Sequence, residues 1–283
     1  YLFIVLNLFF NLIIIRHYNI MALRKVYNIL CCNQTLKKVY LHNGISRSIF
    51  NPLNVTLLNR KIKKILSWNI QELFWYSNSA KLNNILEYIK KSDCDVICLQ
   101  EVFEISSLER ILYNKEILKK YPFSITGCMK SKYLFGENSG LLVLSNQPIQ
   151  YVKFEPLLPY EFPDSFASKG ILYFSVGDKN FAATHLQSGN EVISAQQMRV
   201  AQDSSPFGTN FILLGDLNHH SADVYLRCNK NNYTRTHDSN RILDYILPMC
   251  DSYCNIDIVV DDILEDTSDH WPLICVFSDI ESL

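Results

Sequence analysis

The sequence predicts a mixed-sheet α/β sandwich, on three observations. Apolar runs of strand length recur from Ile65 onward, each bounded by polar and turn residues. Apolar residues fall at helical spacing in Ser79–Lys91, with further helical patterns near 104–120 and 191–202. Strands alternate both with helices and with one another, the order expected of mixed sheets covered by helices. The composition, 48% apolar, 19% charged and 12% aromatic with few Gly and Pro, is that of a globular chain and excludes disordered and fibrous classes. A length of 283 residues suits one large domain or two small ones.

Taken in order, the chain opens with a leader, residues 1–64. Its first 15 residues, "YLFIVLNLFFNLIII", are apolar apart from Asn7 and Asn11. That is short of the roughly 20 residues a spanning helix needs, so the stretch reads as a truncated anchor, a signal remnant, or untranslated sequence if Met21 is the start. The whole leader holds ten Lys and Arg and no Asp or Glu. This suits a transit segment, an arm for an anionic membrane surface, or a disordered tail. Cys31-Cys32 beside basic residues is compatible with acylation. The leader leaves 17 of the 27 basic and all 28 acidic side chains to residues 65–283, a formal balance of −11. A duplex-binding surface usually carries a basic excess, which this region lacks overall. Nine scattered Cys residues without a CxxC pair argue against a zinc knuckle and a disulfide framework, and lean towards reduced thiols inside a cell.

Residues 65–283 form the second unit. Ile65–Ile70 reads as a strand. The following helix carries Leu82, Ile85, Leu86 and Ile89 on one face, and Val96–Leu99 is a short buried strand. Strand-like runs follow at 140–145, 171–176, 180–185, 211–215, 256–260 and 273–277. The polar residues that close these runs carry the chemistry. "LSWNIQ" brings Asn69, "DVICLQEV" Glu101, "FAATHLQSG" His185, and "FILLGDLNHH" Asp216 and Asn218. "RILDYIL" sets Asp244 in an apolar stretch, and "TSDHWPL" places Asp269 and His270 just before one. Each has an ordinary explanation when taken singly: a turn, a helix cap, a core histidine, a strand entrance. In an α/β sandwich, however, strand ends converge on one rim, and repeated carboxylates, amides and imidazoles there are costly unless they are used.

The order Asn, Glu, His, Asp-x-Asn, Asp-His resembles the endonuclease/exonuclease/phosphatase superfamily, of pancreatic-DNase-like fold, from about Ile65 to Phe277. The resemblance implies a four-layer sandwich, two packed mixed β-sheets flanked by helices, and Mg²⁺-dependent cleavage of phosphoester bonds, with Mn²⁺ as a substitute ion. It implies metal ligation by Glu101, an amide oxygen from Asn69, and a carboxylate or water-holding role for Asp269. His270 is the expected general base, titrating near neutrality beside an acid, and Asp216 positions the water or the base. Asn218 and His185 would donate to the phosphate as charge builds. Asp244 is expected to orient His185.

Within the superfamily, "ATHLQSG" followed by an Arg-x-x-Gln pair at Arg199 and Gln202 is similar to the neutral sphingomyelinase branch, as is the Lys169-Gly170 segment. Asp164, five residues before Lys169, resembles an acid–lysine pair of some animal members, though a surface salt bridge would read the same. Lys169 and Arg199 are therefore the expected substrate-binding residues. The implied activity is a phospholipase C that releases phosphocholine from membrane sphingomyelin, with the leader as a possible membrane contact. The alternatives are a nuclease acting on DNA or RNA, and a non-catalytic scaffold of the same fold. No motif residue is lost, which disfavours the scaffold.

Overall fold

The computed structural model describes residues 47–48, 60–73, 78–127, 138–158, 161–162, 164–220, 236–250, 256–261 and 267–278. Most of the leader, including its apolar start, Cys31-Cys32 and Met21, lies outside these residues. Among the described residues, no helix is long and apolar enough to cross a membrane.

Among the described residues, twelve strands form two sheets. They are β1 (Arg47–Ser48), β2 (Lys64–Glu72), β3 (Val96–Val102), β4 (Phe123–Thr126), β5 (Leu142–Ser145), β6 (Ile149–Pro156), β7 (Gly170–Val176), β8 (Lys179–His185), β9 (Ile212–Asp216), β10 (Asp244–Pro248), β11 (Ile256–Val260) and β12 (Leu273–Phe277). The first sheet runs β1-β4-β5-β3-β2-β12-β11 and the second β10-β9-β8-β7-β6. Helices α1 (Ser79–Lys91), α2 (Ile105–Leu112) and α3 (Lys115–Lys120) cover the first sheet, and α4 (Glu191–Asp203) covers the second.

The period of two along each strand builds the layers. In β2, Ile65 enters the core between the sheets, while Leu66, Trp68 and Ile70 pack against α1, α2 and α3. In β7, Leu172 and Phe174 point to the inter-sheet core, and Ile171 and Tyr173 face α4. The result is helix, sheet, sheet, helix: the four-layer sandwich. The α1 face named from the sequence, Leu82, Ile85, Leu86 and Ile89, is the buried one, and Asn78 caps the helix by accepting from Lys81 N at 2.8 Å.

The expected helix over 104–120 is two helices. Asn114 interrupts it, its side chain accepting from Glu116 N and Ile117 N to start α3. The leader's end also takes part in the fold. Ile62 is fully buried in the inter-sheet core, and Arg47–Ser48 pairs with β4.

Pairing sets the rim. β2 and β3 run parallel with Asn69 opposite Gln100, and β8 and β9 run parallel with His185 opposite Asp216. β10 is antiparallel to β9 with Asp244 opposite Asp216, and β12 is antiparallel to β2 with Leu273 opposite Ser67. The C-terminal ends of β2, β3, β8 and β9 and the entrances of β10 and β12 therefore meet at one end of the sandwich.

Candidate active site

Backbone irregularities aim the side chains at that end. β2 bulges between Asn69 and Glu72, with Gln71 at φ 49°. Glu101 in β3 and Asn218 after β9 are also left-handed, at φ 58° and 48°. Such conformations are uncommon for Gln and Glu, less so for Asn, and gather at working sites. Gly215 sits at φ 135°, where a Cβ would lie 1.9 Å from Thr184 O on the neighbouring strand. Only glycine lets β9 approach β8 closely enough to bring Asp216 beside His185.

Asn69 is fully buried at the centre. Its Oδ1 accepts from Gln71 N at 3.1 Å, and this fixes the amide orientation. Its Nδ2 consequently faces the site and donates to Glu101 Oε1 and Asp216 Oδ2, both at 3.0 Å. In this arrangement Oδ1, the oxygen expected to face a metal, accepts from Gln71 N, and Nδ2 lies between the two carboxylates.

Around Asp216 stand both imidazoles, His185 Nε2 at 3.6 Å and His270 Nε2 at 3.7 Å. Asp244 corrects the sequence expectation. Its Oδ2 lies 2.7 Å from His270 Nδ1, so it orients the second imidazole and not His185. The cause is register: β10 enters the rim at Asp244 beside Asp216, opposite the segment that leads into β12. The backbone of His270 is held independently. Trp68 Nε1 donates to its carbonyl at 3.0 Å, and its N–H donates to Ser268 Oγ at 3.1 Å.

Asp269 lies at the edge. Its Oδ2 accepts from Gln71 Nε2 at 2.8 Å and faces His237 Nε2 at 3.5 Å, while Oδ1 lies 4.0 Å from His270 Nε2. Asn218 accompanies Asp216 through its own N–H to Asp216 Oδ1 at 2.9 Å, and its Nδ2 donates to Leu186 O at 3.1 Å.

Lys169 is placed differently from a surface substrate contact. It is almost fully buried, donating to Leu186 O at 2.7 Å and pairing with Asp164 at 3.0 Å. Asp164 also accepts from Ser188 N at 2.6 Å. The acid–lysine pair is therefore an internal clamp on the His-Leu-Gln segment. Arg199 stands exposed on α4, opposite the buried stripe of Ile193, Ser194, Gln197, Met198 and Ala201. The helix is tied to the site by Gln197, whose Oε1 accepts from Gln187 N at 2.8 Å. Sequence reasoning also missed Gln71, Lys81 and His237. The run "WNIQE" held a signal for Gln71, a second polar residue two places after Asn69 at a strand end; a lone Lys81 and His237 had none.

The electrostatics divide the titratable groups. Burial, reinforced by the charges of Lys169 and His270, holds His185 well below the ordinary imidazole range, so it is neutral. Burial also opposes charging of His270, but the carboxylates of Asp244 and Asp216 outweigh it and raise the ring. Burial pushes Glu101 and Asp216 up, with the Asp244 and Glu101 charges adding to the effect on Asp216. Among the described residues, buried Glu101 Oε2 has no hydrogen-bond partner, and its Oε1 already accepts from Asn69. A buried carboxylate oxygen left bare beside Asp216 and His185 fits a hard cation, which would supply the missing partner.

The family model for the endonuclease/exonuclease/phosphatase family matches residues 66–270, most of the chain. The chain belongs to this family. By that membership it is a hydrolase of phosphoester bonds. Solved structures of the same fold include sphingomyelinase C from Streptomyces griseocarneus, 17% identical over 77% of this chain and 100% of that one, with a TM-score of 0.63. Beta toxin from Staphylococcus aureus with bound magnesium ions is 17% identical, over 77% and 100% of the two chains, with a TM-score of 0.62. TDP2 from D. rerio, complexed with a single-strand DNA product, is 16% identical, over 77% and 100%, with a TM-score of 0.54. No curated protein matches the sequence.

Proposed function

We propose that this family member is a Mg²⁺-dependent sphingomyelinase-like phospholipase C that releases phosphocholine from sphingomyelin. One observation carries the lipid branch: the buried Asp164–Lys169 pair, fastened to Leu186 and Ser188 directly after the site histidine. The formal balance of −11 over residues 65–283 favours a lipid over a polyanionic duplex. Likeness in fold to a sphingomyelinase C and to a beta toxin holding magnesium supports the same reading.

Bound Mg²⁺ would offset the charge of the phosphodiester, with Glu101 and Asp269 as its carboxylates and Mn²⁺ as a substitute. The carboxylates of Asp244, Asp216 and Asp269 hold His270 protonated in the metal-free site; a cation would offset part of that charge, and Nε2, once freed of its proton, would take that of the attacking water. Asp244 holds the far nitrogen protonated and the ring in place, and the Asp216 carboxylate faces His270 Nε2 at 3.7 Å. Neutral His185 and the amide of Asn218 donate to the phosphate oxygens, and Asn69 keeps Glu101 and Asp216 apart. The water oxygen ends on phosphorus, and its proton ends on the ceramide alkoxide. Arg199, exposed on α4, has no part in these steps.

The test is phosphocholine release from sphingomyelin micelles by the full chain with and without Mg²⁺, run beside abasic-site DNA, with His270→Ala as the blank. Release confined to the lipid and lost in the blank supports the proposal. Cleavage of DNA alone would move the protein to the nuclease branch with its catalytic residues unchanged.

A further inference from the structure

His237 has no part in the steps above, yet it touches the site on two sides. Its ring meets that of His270 edge-on, centroids 4.5 Å apart and planes at 82°. Its segment is clipped to the strand entrance: Asp238 N donates to Asp269 O at 2.9 Å, and Trp271 N to Thr236 O at 3.0 Å. The Nδ1 atom accepts from Ser239 N at 2.9 Å, so the ring proton sits on Nε2, the nitrogen that faces Asp269 Oδ2 at 3.5 Å. His237, Asp269 and His270 lie close enough together to suggest a second metal centre. The tautomer opposes it, because the Nε2 that would ligate carries the proton.

The same Asp269 oxygen accepts from Gln71 Nε2 at 2.8 Å. Gln71 is itself gripped by buried Lys81, whose Nζ donates to its carbonyl at 2.7 Å and to Oε1 at 3.3 Å. We infer that His237 is a positioning residue, which together with Gln71 commits Asp269 Oδ2 to the protein and leaves Oδ1 as the oxygen turned to the catalytic space. Oδ1 is the atom 4.0 Å from His270 Nε2. Without the His237 N–H, Gln71 Nε2 alone of these two donors holds Oδ2, and the carboxylate turns more easily to pair both oxygens with His270. That would occupy the base and withdraw a carboxylate from the cation. The inference rests on the reading of Asp269 and His270 given above, but not on which phosphodiester is the substrate.

The experiment uses the full chain as wild type, His237→Phe and His237→Gln, each also in an Asp269→Asn background. Turnover of bis(p-nitrophenyl) phosphate and, separately, Mg²⁺ affinity by calorimetry are measured. Phe keeps a ring against His270 and loses the donor; Gln restores an N–H. We expect His237→Phe to lose about tenfold in kcat and to weaken Mg²⁺ several-fold. His237→Gln should recover most of both, and His237→Phe should cost nothing more once Asp269 is Asn. Equal losses in Phe and Gln at unchanged melting temperature, or losses that simply add to those of Asp269→Asn, would overturn the inference. An inactive wild type would sink the proposed reaction, while the Mg²⁺-binding cycle would still decide the role of His237.

Discussion

His185 at the end of β8 and His270 at the entrance to β12 face the same Asp216 oxygen, at 3.6 and 3.7 Å, and are 5% and 6% exposed. Burial and their common neighbour are thus matched, yet the rings are driven in opposite directions. The difference lies behind them. His270 Nδ1 has Asp244 at 2.7 Å, whereas His185 Nδ1 has no hydrogen-bond partner among the described residues and Lys169 adds positive charge nearby. An acid on the far nitrogen makes one imidazole a base, and its absence leaves the other a neutral donor. The largest expected effect follows. Asp244→Asn should lower kcat on a soluble phosphodiester by roughly 10³- to 10⁴-fold, as loss of a correctly oriented base does. His185→Gln, which keeps a donor, should lose about 10²-fold at most. Steady-state kinetics at saturating Mg²⁺ compares them. Equal or reversed losses would break the comparison.

Lys169 sharpens it from the other side. Removing one partner of a buried ion pair strands the other, so Lys169→Met should destabilise the fold by about 3–5 kcal/mol in chemical denaturation. Asp164→Leu/Lys169→Met should be closer to wild type than Lys169→Met alone, because no charge is then stranded. In the double variant the ¹³C-edited NMR titration of His185 should move towards an ordinary imidazole value, one of the two charges pressing on it having gone. If His185 stays where it was, burial and the His270 charge set its state without Lys169.

What could be read from the sequence divides along physical lines. Strands with a continuous apolar run, such as β3 and β9, and the helix with a clean stripe, α1, are visible because burial dictates them. β6 escaped because it is an exposed edge strand, "IQYVKFEP", whose charged Lys153 and Glu155 break the apolar run. β4 escaped because it is four residues long. The break at Asn114 was available as a cap signal inside an apparently continuous helix. In the site, residue types and their order were legible. Partnership was not: whether Asp244 serves His185 or His270 depends on strand register, and whether Asn69 presents oxygen or nitrogen depends on a bulge. Lys169 shows the same gap, since a salt bridge five residues long looks alike on a surface and in a core.

The smallest expected effect concerns protons and metal together. Folding raises His270, Glu101 and Asp216, so the native state holds protons that the unfolded chain has released. For each, the stabilisation is complete below the unfolded value and is lost as pH climbs through the folded one; for His270 the window runs from about 6.5 to about 10. His185 and Asp269 are depressed on folding and run oppositely, but their contributions are constant above about pH 7. The melting temperature of the metal-free protein should therefore fall between pH 7 and 9. A divalent cation at Glu101 takes the place of those protons, and its binding releases them. Mg²⁺ should accordingly raise the melting temperature more at pH 9 than at pH 7, by about 2–4 °C for a chain of this length. Differential scanning calorimetry with and without Mg²⁺ at the two pH values checks this, and Glu101→Gln should flatten the difference. A shift that shrinks with rising pH would mean that the cation is not held by the carboxylates whose protons folding retains. The contrast between the two histidines would then have to be drawn without a metal between them.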